Sequence, residues 1–327
     1  MKNNFNKNVF LTTEANFNSL ALELFYYQAK YNPVYANYLK LINVSPHSIT
    51  EIADIPYLPI DFYKHHVVSC QPKSVNSHVF LSSSTTGMGQ SKHYVNDINQ
   101  YINAFSKSFE FCFGNITNFS FRFLLPSYME REGSSLIYMA QKLLSISGSG
   151  GFYLTNFKQL AYDLAQDIAE KRPTILLGVS YALIDFAKEF PMDLSSIIVM
   201  ETGGMKGRRE EITRPQLHHY LKNQFNHSQI ASEYGMTELL SQAYSTKDGL
   251  FRPPPWMKIN VGKTTDPFEL EKFGKTGCLK IMDLSNYESC SFIHTSDLGR
   301  VFEDGSFEIS GRFDHSDLRG CNLMALD

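Results

Sequence analysis

TILLGVSYALIDFAKEFPMDLSSIIVMETGG, residues 174–204, decides the fold class. The apolar run TILLGV passes directly into YALIDFAKEF, which has helical spacing. A second apolar stretch, SSIIVMETGG, follows from Ser195 and ends in two glycines. Strands that are apolar at nearly every position must be covered on both faces, and helices between consecutive strands are the covering that parallel pairing allows. The same alternation extends outward. FRFLLPSY from Phe121 reads as a buried strand ended by Pro126, and GSSLIYMAQKLLSIS from Gly133 as a helix stopped by Gly148–Gly151. GFYL is a further strand, NFKQLAYDLAQDIAEK a helix that Asn156 can cap, and 207–224 a helix rich in charge. The spacing predicts a largely parallel sheet flanked by helices, whose ligands sit at the carboxyl ends of its strands.

Beyond this block the texture differs. Residues 15–31 read as an amphipathic helix with Leu20, Leu24 and Tyr27 on one face, stopped by Pro33. Pro56 and Pro59 predict an extended, irregular stretch. Residues 97–111 read as a helix. After about residue 250, FRPPPWMKINVG, TGCLKIMDL, SCSFIHTSDLGRVF and GSFEISGRF are short β-segments, with a hairpin-type turn at Asp304-Gly305. They predict a smaller antiparallel subdomain. The expected division is 1–250 as the α/β core, 251–310 as a β-rich subdomain of the same unit, and 311–327 as a hinge-like motif with a short tail.

Composition narrows the classes. The chain has 327 residues, is 43% hydrophobic and holds 25 Phe and 18 Tyr, as a folded protein with an aromatic core does. Its net charge is −3 with well-mixed signs, so no basic face for nucleic acid or a membrane surface stands out. The cysteines are Cys70, Cys112, Cys278, Cys290 and Cys321, widely spaced and without a CxxC pair. Neither a disulfide framework nor a zinc site is expected, and a reducing cytoplasm fits. No apolar run reaches the roughly 18 residues of a spanning helix. The polar N-terminus has no signal-type apolar region.

Five polar segments stand out at positions compatible with sheet edges. They are LSSSTTGMGQSK at 81–92, TGGMKGR at 202–208, SEYGMTE at 232–238, HTSDLGR at 294–300 and GRFDHSDLRG at 311–320. In the first, glycine lets backbone N–H groups converge on an anion, hydroxyls add donors and lysine adds charge. It is not a Walker loop, because no GK[ST] closes it. Alone it reads equally as a solvated Ser/Gly linker. Singly, Asp297 is also an ordinary turn residue and Glu238 a helix-start carboxylate. Five such segments together point to one ligand with phosphate and sugar parts.

In this order, the Ser/Thr/Gly loop, YGMTE, TSDLGR and GRFD resemble the adenylate-forming enzymes, the superfamily of acyl-CoA synthetases, luciferases and adenylation domains. PYLPIDFYK at 56–64, LPSYMEREGSSLIYM at 125–139, ETGGMKGRRE at 201–210 and RGCNLM at 319–324 further resemble the acyl-protein synthetases of bacterial luminescence systems. The resemblance runs from about residue 56 onward. It implies the large N-terminal domain of those enzymes, with ATP and Mg²⁺ as cofactors. It also implies a long-chain fatty acid as substrate, transfer of the acyl group to a protein cysteine, and an acyl reductase as partner.

The resemblance carries residue roles. Ser82, Ser83, Ser84, Thr85, Thr86, Gly87, Gly89 and Lys92 would hold the β- and γ-phosphates. Tyr234 would cover the adenine, with Gly203 and Gly204 against its other face and Gly235 in the same turn. Thr237 would donate to the α-phosphate and Glu238 would ligate Mg²⁺, a hard cation suited to carboxylate and phosphate oxygens. Asp297 would accept from the ribose hydroxyls, Arg312 would reach ribose and phosphate, and Asp314 matches the hinge position.

The larger relatives continue after the hinge into a small domain whose lysine neutralises the attacking carboxylate. This chain ends at Asp327, so that domain is expected to be absent. Lys92 is then the lysine left near the phosphates. Cys321, two residues from Arg319, is the candidate acyl acceptor on thiolate grounds, against the commoner state of a buried inert thiol. Two other readings remain open: an acyl- or aryl-CoA ligase of the phenylacetate-CoA ligase type, and a degenerate nucleotide-binding scaffold. His65-His66 and His218-His219 are expected to be surface or second-layer residues, because no third ligand at useful spacing accompanies them. The aromatics of 101–113 are expected in the core.

Overall fold

Pro33 ends one helix and begins the next. The first runs Glu14–Tyr31 and the second Pro33–Leu41. The Asn32 side chain between them accepts from Val34 N at 3.0 Å and Tyr35 N at 3.1 Å. Proline at the first helical position lacks only an N–H that would go unused there. The sequence reading stopped a helix at this point but did not see that the same residues cap a second.

The computed structural model describes residues 5, 9–72, 77–82, 89–126, 132–203 and 212–312. Its strands are β1 (Leu58–Pro59), β2 (His78–Leu81), β3 (Lys92–Val95), β4 (Ser120–Leu124), β5 (Gly150–Phe152), β6 (Thr174–Val179), β7 (Ile198–Thr202), β8 (Ala231–Tyr234), β9 (Ala243–Ser245), β10 (Met257–Gly262), β11 (Gly277–Asp283), β12 (Phe292–Val301) and β13 (Phe307–Arg312).

A six-stranded sheet of order β5-β4-β6-β7-β8-β9 carries the α/β half. It is parallel except for β9, which runs antiparallel to β8. Every residue of β4 and β6 is buried, as the apolar sequence of β6 predicts; in β4 this includes the polar Ser120 and Arg122. Helices Ile98–Phe113, Ser135–Ser147, Phe157–Ala169 and Ser180–Glu189 accompany it near the expected places. The aromatics Tyr101, Phe105 and Phe109 are in its core, as read from the sequence. Buried Arg122 of β4 donates to both oxygens of Asp167, at 2.7 and 2.8 Å, and so fastens helix Phe157–Ala169 to the sheet.

The second sheet holds β1, β10, β11, β12 and β13. It is antiparallel except where β1 pairs in parallel with β12 through Leu58 and Pro59. The N-terminal helices pack on this sheet, not on the parallel one. Gln28 is fully buried; its amide donates to Asn286 O at 3.1 Å and its oxygen accepts from Ser291 N at 2.9 Å. One apolar cluster therefore joins residues 5–70 to 234–307, across the division drawn at 250. Among the described residues no helix is long and apolar enough to cross a membrane.

Candidate active site

The carboxyl ends of β7 and β8 lie side by side, because Thr202 pairs with Glu233 in parallel register. The next residue on each strand is a site candidate: Gly203 and Tyr234. Gly203 has φ of +66°, which suits glycine, and Ser180 Oγ donates to its carbonyl at 2.7 Å. Tyr234 is wedged edge-on between Phe251 and Phe307, and its hydroxyl donates to Asp297 Oδ2 at 2.8 Å. Arg312 Nε donates to the other oxygen, Oδ1, at 3.1 Å. Asp297 and Arg312 are partners in the β12–β13 register, so the pairing of these two strands sets this contact. Tyr234, Asp297 and Arg312, 78 positions apart in sequence at the extremes, thus form one connected group. The neighbouring Asp297 charge holds the Arg312 guanidinium above its usual range.

Gly235 lets the Glu233 carboxylate fold back against the turn. A Cβ there would stand 2.6 Å from Glu233 Oε1. The following segment, Met236 to Gln242, is gripped at several points. Leu240 N and Ser241 N donate to Asp283 Oδ2 at 3.0 and 2.9 Å, and Ser241 Oγ donates to Oδ1 at 2.8 Å. Asn286 Nδ2 donates to the Glu238 carbonyl at 2.9 Å. His93 Nδ1 meets the Thr237 carbonyl at 2.8 Å. The Glu238 side chain is 4% exposed. Burial pushes its pKa up; a hydrogen bond from Ser91 and the positive field of Arg312 only partly oppose this, and Asp297 adds to it. Glu238 therefore lies within the electrostatic reach of the Asp297–Arg312 pair.

The phosphate-loop candidates divide. Ser82 and Ser91 close the base of the loop: Ser82 N donates to Ser91 O at 3.1 Å, and Ser91 N to Ser82 Oγ at 2.9 Å. Gly89 is exposed with φ of +71°. Lys92 is exposed, with buried residues on both sides, and by strand alternation lies on the face away from Ser91 and His93. The structure does not bring its ammonium to Glu238. Ser83, Ser84, Thr85, Thr86, Gly87, Gly204, Asp314 and Cys321 lie outside the described residues.

A second buried charge cluster lies on β7, just before Gly203. Glu201 of β7 accepts from Arg214 Nε at 2.8 Å and lies 3.6 Å from His218 Nε2. Burial raises Glu201, but His218, Arg214 and Ser232 outweigh it and leave the carboxyl below its usual range. Arg214 also donates to Ile309 O at 3.1 Å and so ties β13 to the α/β half. His218 is thus a buried second-layer residue, while His219 is exposed.

Glu233 is the opposite case. Burial lifts its pKa to about 7, Thr202 opposes the rise and the nearby Glu201 charge reinforces it. A carboxyl whose folded pKa is raised keeps its full stability contribution below its unfolded pKa and loses it as pH climbs to the folded value. The loss here falls between about pH 4.5 and 7 and amounts to at most about 3 kcal/mol. Glu233→Gln is therefore expected to be more stable than the parent protein at pH 8 and no more stable at pH 4.5. Urea unfolding at the two pH values checks this; an equal difference at both would contradict it.

No His, Cys, Asp and Glu group of three or more able to hold a metal occurs among the described residues. What the site does offer is the buried, under-neutralised carboxylate of Glu238, within reach of the Asp297–Arg312 pair. That donor suits a Mg²⁺ ion that takes its remaining ligands from phosphate and water. Sequence reading missed His93, Asp283, Asn286 and Arg214. A polar residue alternating with a second one after the loop, as Ser91 and His93 do, was the available signal for the first.

By sequence, no family model and no curated protein matches the chain. By structure it is similar to ATP-bound MatB from Rhodopseudomonas palustris, with TM-score 0.55 and 16% identity over 72% of this chain and 47% of that one. It is similar to a 2-hydroxyisobutyryl-CoA ligase in complex with 2-HIB-AMP and CoA, with TM-score 0.66 and 13% identity over 91% of this chain and 74% of that one. It is also similar to the O-succinylbenzoate CoA synthetase MenE from Bacillus subtilis in complex with AMP, with TM-score 0.51 and 17% identity over 73% and 49%. The chain spans about half the length of MatB, 47%. The fold is α/β with mixed sheets and matches the N-terminal domain of adenylate-forming enzymes.

Proposed function

We propose that the chain binds ATP and activates a carboxylic acid as its acyl-adenylate. The observation that carries this reading is the grouping of Tyr234, Asp297, Arg312 and Glu238 at one edge of the two sheets. It stands in the fold shared with proteins whose structures hold ATP, AMP or an acyl-AMP. In the reaction, a carboxylate oxygen of the acid attacks the α-phosphorus. The new O–P bond forms as the bond to the bridging oxygen breaks, and pyrophosphate leaves with its electron pair. Two anions must be brought together, so positioning and neutralisation dominate catalysis. Arg312 supplies positive charge next to Asp297. Thr237 offers a hydroxyl to the α-phosphate. Tyr234 presents its ring to adenine while its hydroxyl stays tied to Asp297. Glu238 would hold Mg²⁺, which adds charge neutralisation on the phosphates.

The finer reading rests on the resemblance of PYLPIDFYK, ETGGMKGRRE and RGCNLM to acyl-protein synthetases. The acid is a long-chain fatty acid. The acyl group passes to a cysteine thiol as a thioester, Cys321 being the candidate, and then to a reductase partner. One observation favours a second reading, a CoA ligase: the neighbour covering 91% of this chain is one, and its structure includes CoA. ATP–pyrophosphate exchange across fatty and aromatic acids tests the common step. Expected is exchange with long-chain acids and a hydroxylamine-labile acyl label that Cys321→Ser removes. Acid-dependent AMP release only with CoA would select the ligase. Nucleotide binding without exchange across the panel would leave a nucleotide-binding scaffold.

A further inference from the structure

Ser91, just before β3, and His93, within it, are buried beside the Thr237–Glu238 turn. Ser91 is 3% exposed and opposes the upward push of burial on the Glu238 carboxyl; His93 is 1% exposed and its Nδ1 meets the Thr237 carbonyl at 2.8 Å. Lys92, between them, is exposed and turned away. A carbonyl can only accept, so Nδ1 carries the proton and donates. Behind the imidazole stands Tyr63, edge-on at 5.6 Å between ring centres, and the Tyr63 hydroxyl is within 3.0 Å of Ser289 Oγ. The ring is thus clamped between the turn and the helical piece Phe62–His65, and burial keeps it neutral, with a pKa near 4.

β3 also bears the loop base, since Leu81 pairs with Lys92 and Ser82 with Ser91. The loop and the turn come from different parts of the chain. The 2.8 Å bond from His93 links residues 144 positions apart and fixes one against the other. We infer that His93 is a positioning residue: it sets the Thr237–Glu238 turn at a fixed distance from the phosphate-loop hairpin, so that both act on the same triphosphate. This rests on the adenylation reading for its catalytic consequence, but not for the clamp itself.

Three substitutions separate positioning from mere filling. In His93→Asn the amide nitrogen takes the place of Nδ1, one bond from Cγ, and can still donate to Thr237. His93→Gln carries its donor one bond further out, where Nε2 stood. His93→Phe fills the space and donates nothing. Two measurements are made on each: ATP–pyrophosphate exchange with long-chain acid and Mg²⁺, and hydrogen–deuterium exchange of the amides of 235–242. The Phe and Gln variants are expected to lose kcat for exchange by roughly ten- to a hundredfold with little change in KM for ATP. Their 235–242 amides should exchange faster while the rest of the protein keeps its protection. The Asn variant should stay within about threefold of the parent in kcat, with parental protection. Equal behaviour of Asn and Phe, in either measurement, overturns the inference, as does parental behaviour of all three. If the parent protein shows no pyrophosphate exchange, the adenylation reading fails, and amide protection alone decides the clamp.

Discussion

Glu238→Gln is expected to reduce acid-dependent ATP–pyrophosphate exchange by about a hundredfold or more, and to leave the protein at least as stable as before. Both halves follow from one environment. The carboxylate is buried, and its desolvation is only partly offset by Ser91 and by Arg312, which is already engaged with Asp297. An anion in that position costs folding free energy until a cation reaches it. Glutamine keeps the shape while removing the charge. Thermal unfolding should therefore occur at the same or a higher temperature, and added Mg²⁺ should no longer change the affinity for ATP. Near-parental exchange in this variant would remove Glu238 from the metal role. A large fall in stability would show that its charge is satisfied in the free protein.

Asp283→Ala should behave in the reverse way. Asp283 is as deeply buried as Glu238 but fully satisfied: it accepts from Leu240 N, Ser241 N, Ser241 Oγ, Ser285 N and Ser285 Oγ, all at 2.6–3.1 Å. The hydroxyls can turn to other partners, and Ser241 Oγ already accepts from Trp256 Nε1 at 2.8 Å. The backbone N–H groups cannot. Each orphaned buried donor costs roughly 1–3 kcal/mol, so with three N–H groups left over the variant is expected to lose at least about 3 kcal/mol in urea unfolding. Exchange should fall with it even where the protein stays folded, because the same bonds hold the end of the Thr237–Ser241 segment. A variant with parental stability would show that water replaces the carboxylate, and would remove Asp283 as the anchor of the turn.

These two carboxylates also show where sequence reading worked and where it stopped. TILLGV and SIIVM announced themselves because an all-apolar strand has one physical explanation. The five polar segments pointed to one shared ligand, but the choice of Tyr234, Glu238, Asp297 and Arg312 within them came from the resemblance of YGMTE, TSDLGR and GRFD to adenylate-forming enzymes. β8 was not: Ser232 and Glu233 are polar yet buried, so ASEY read as part of a loop. Asp283 was equally hidden, at the end of the apolar run GCLKIMD, with its partners some 40 positions earlier. β1 is two residues long and finds its partner at Ile293 and His294, a pairing that no local pattern encodes. The sequence placed Lys92 inside the phosphate loop. The structure makes it the first residue of a strand, and alternation then decides which way it faces.

The buried Gln28 has a meaning in time as well as in space. Its backbone and side-chain partners lie up to 263 residues downstream. At roughly 5–20 residues per second, the ribosome needs on the order of ten seconds or longer to deliver them. Through that interval Leu20, Leu24 and Phe25 have no sheet to cover, so the first helices made are among the last to dock. The parallel half, whose strand neighbours are mostly close in sequence, is free to form first. A nascent chain interrupted before Phe292 would hold a finished α/β half and an exposed apolar helix pair, the state that chaperones bind.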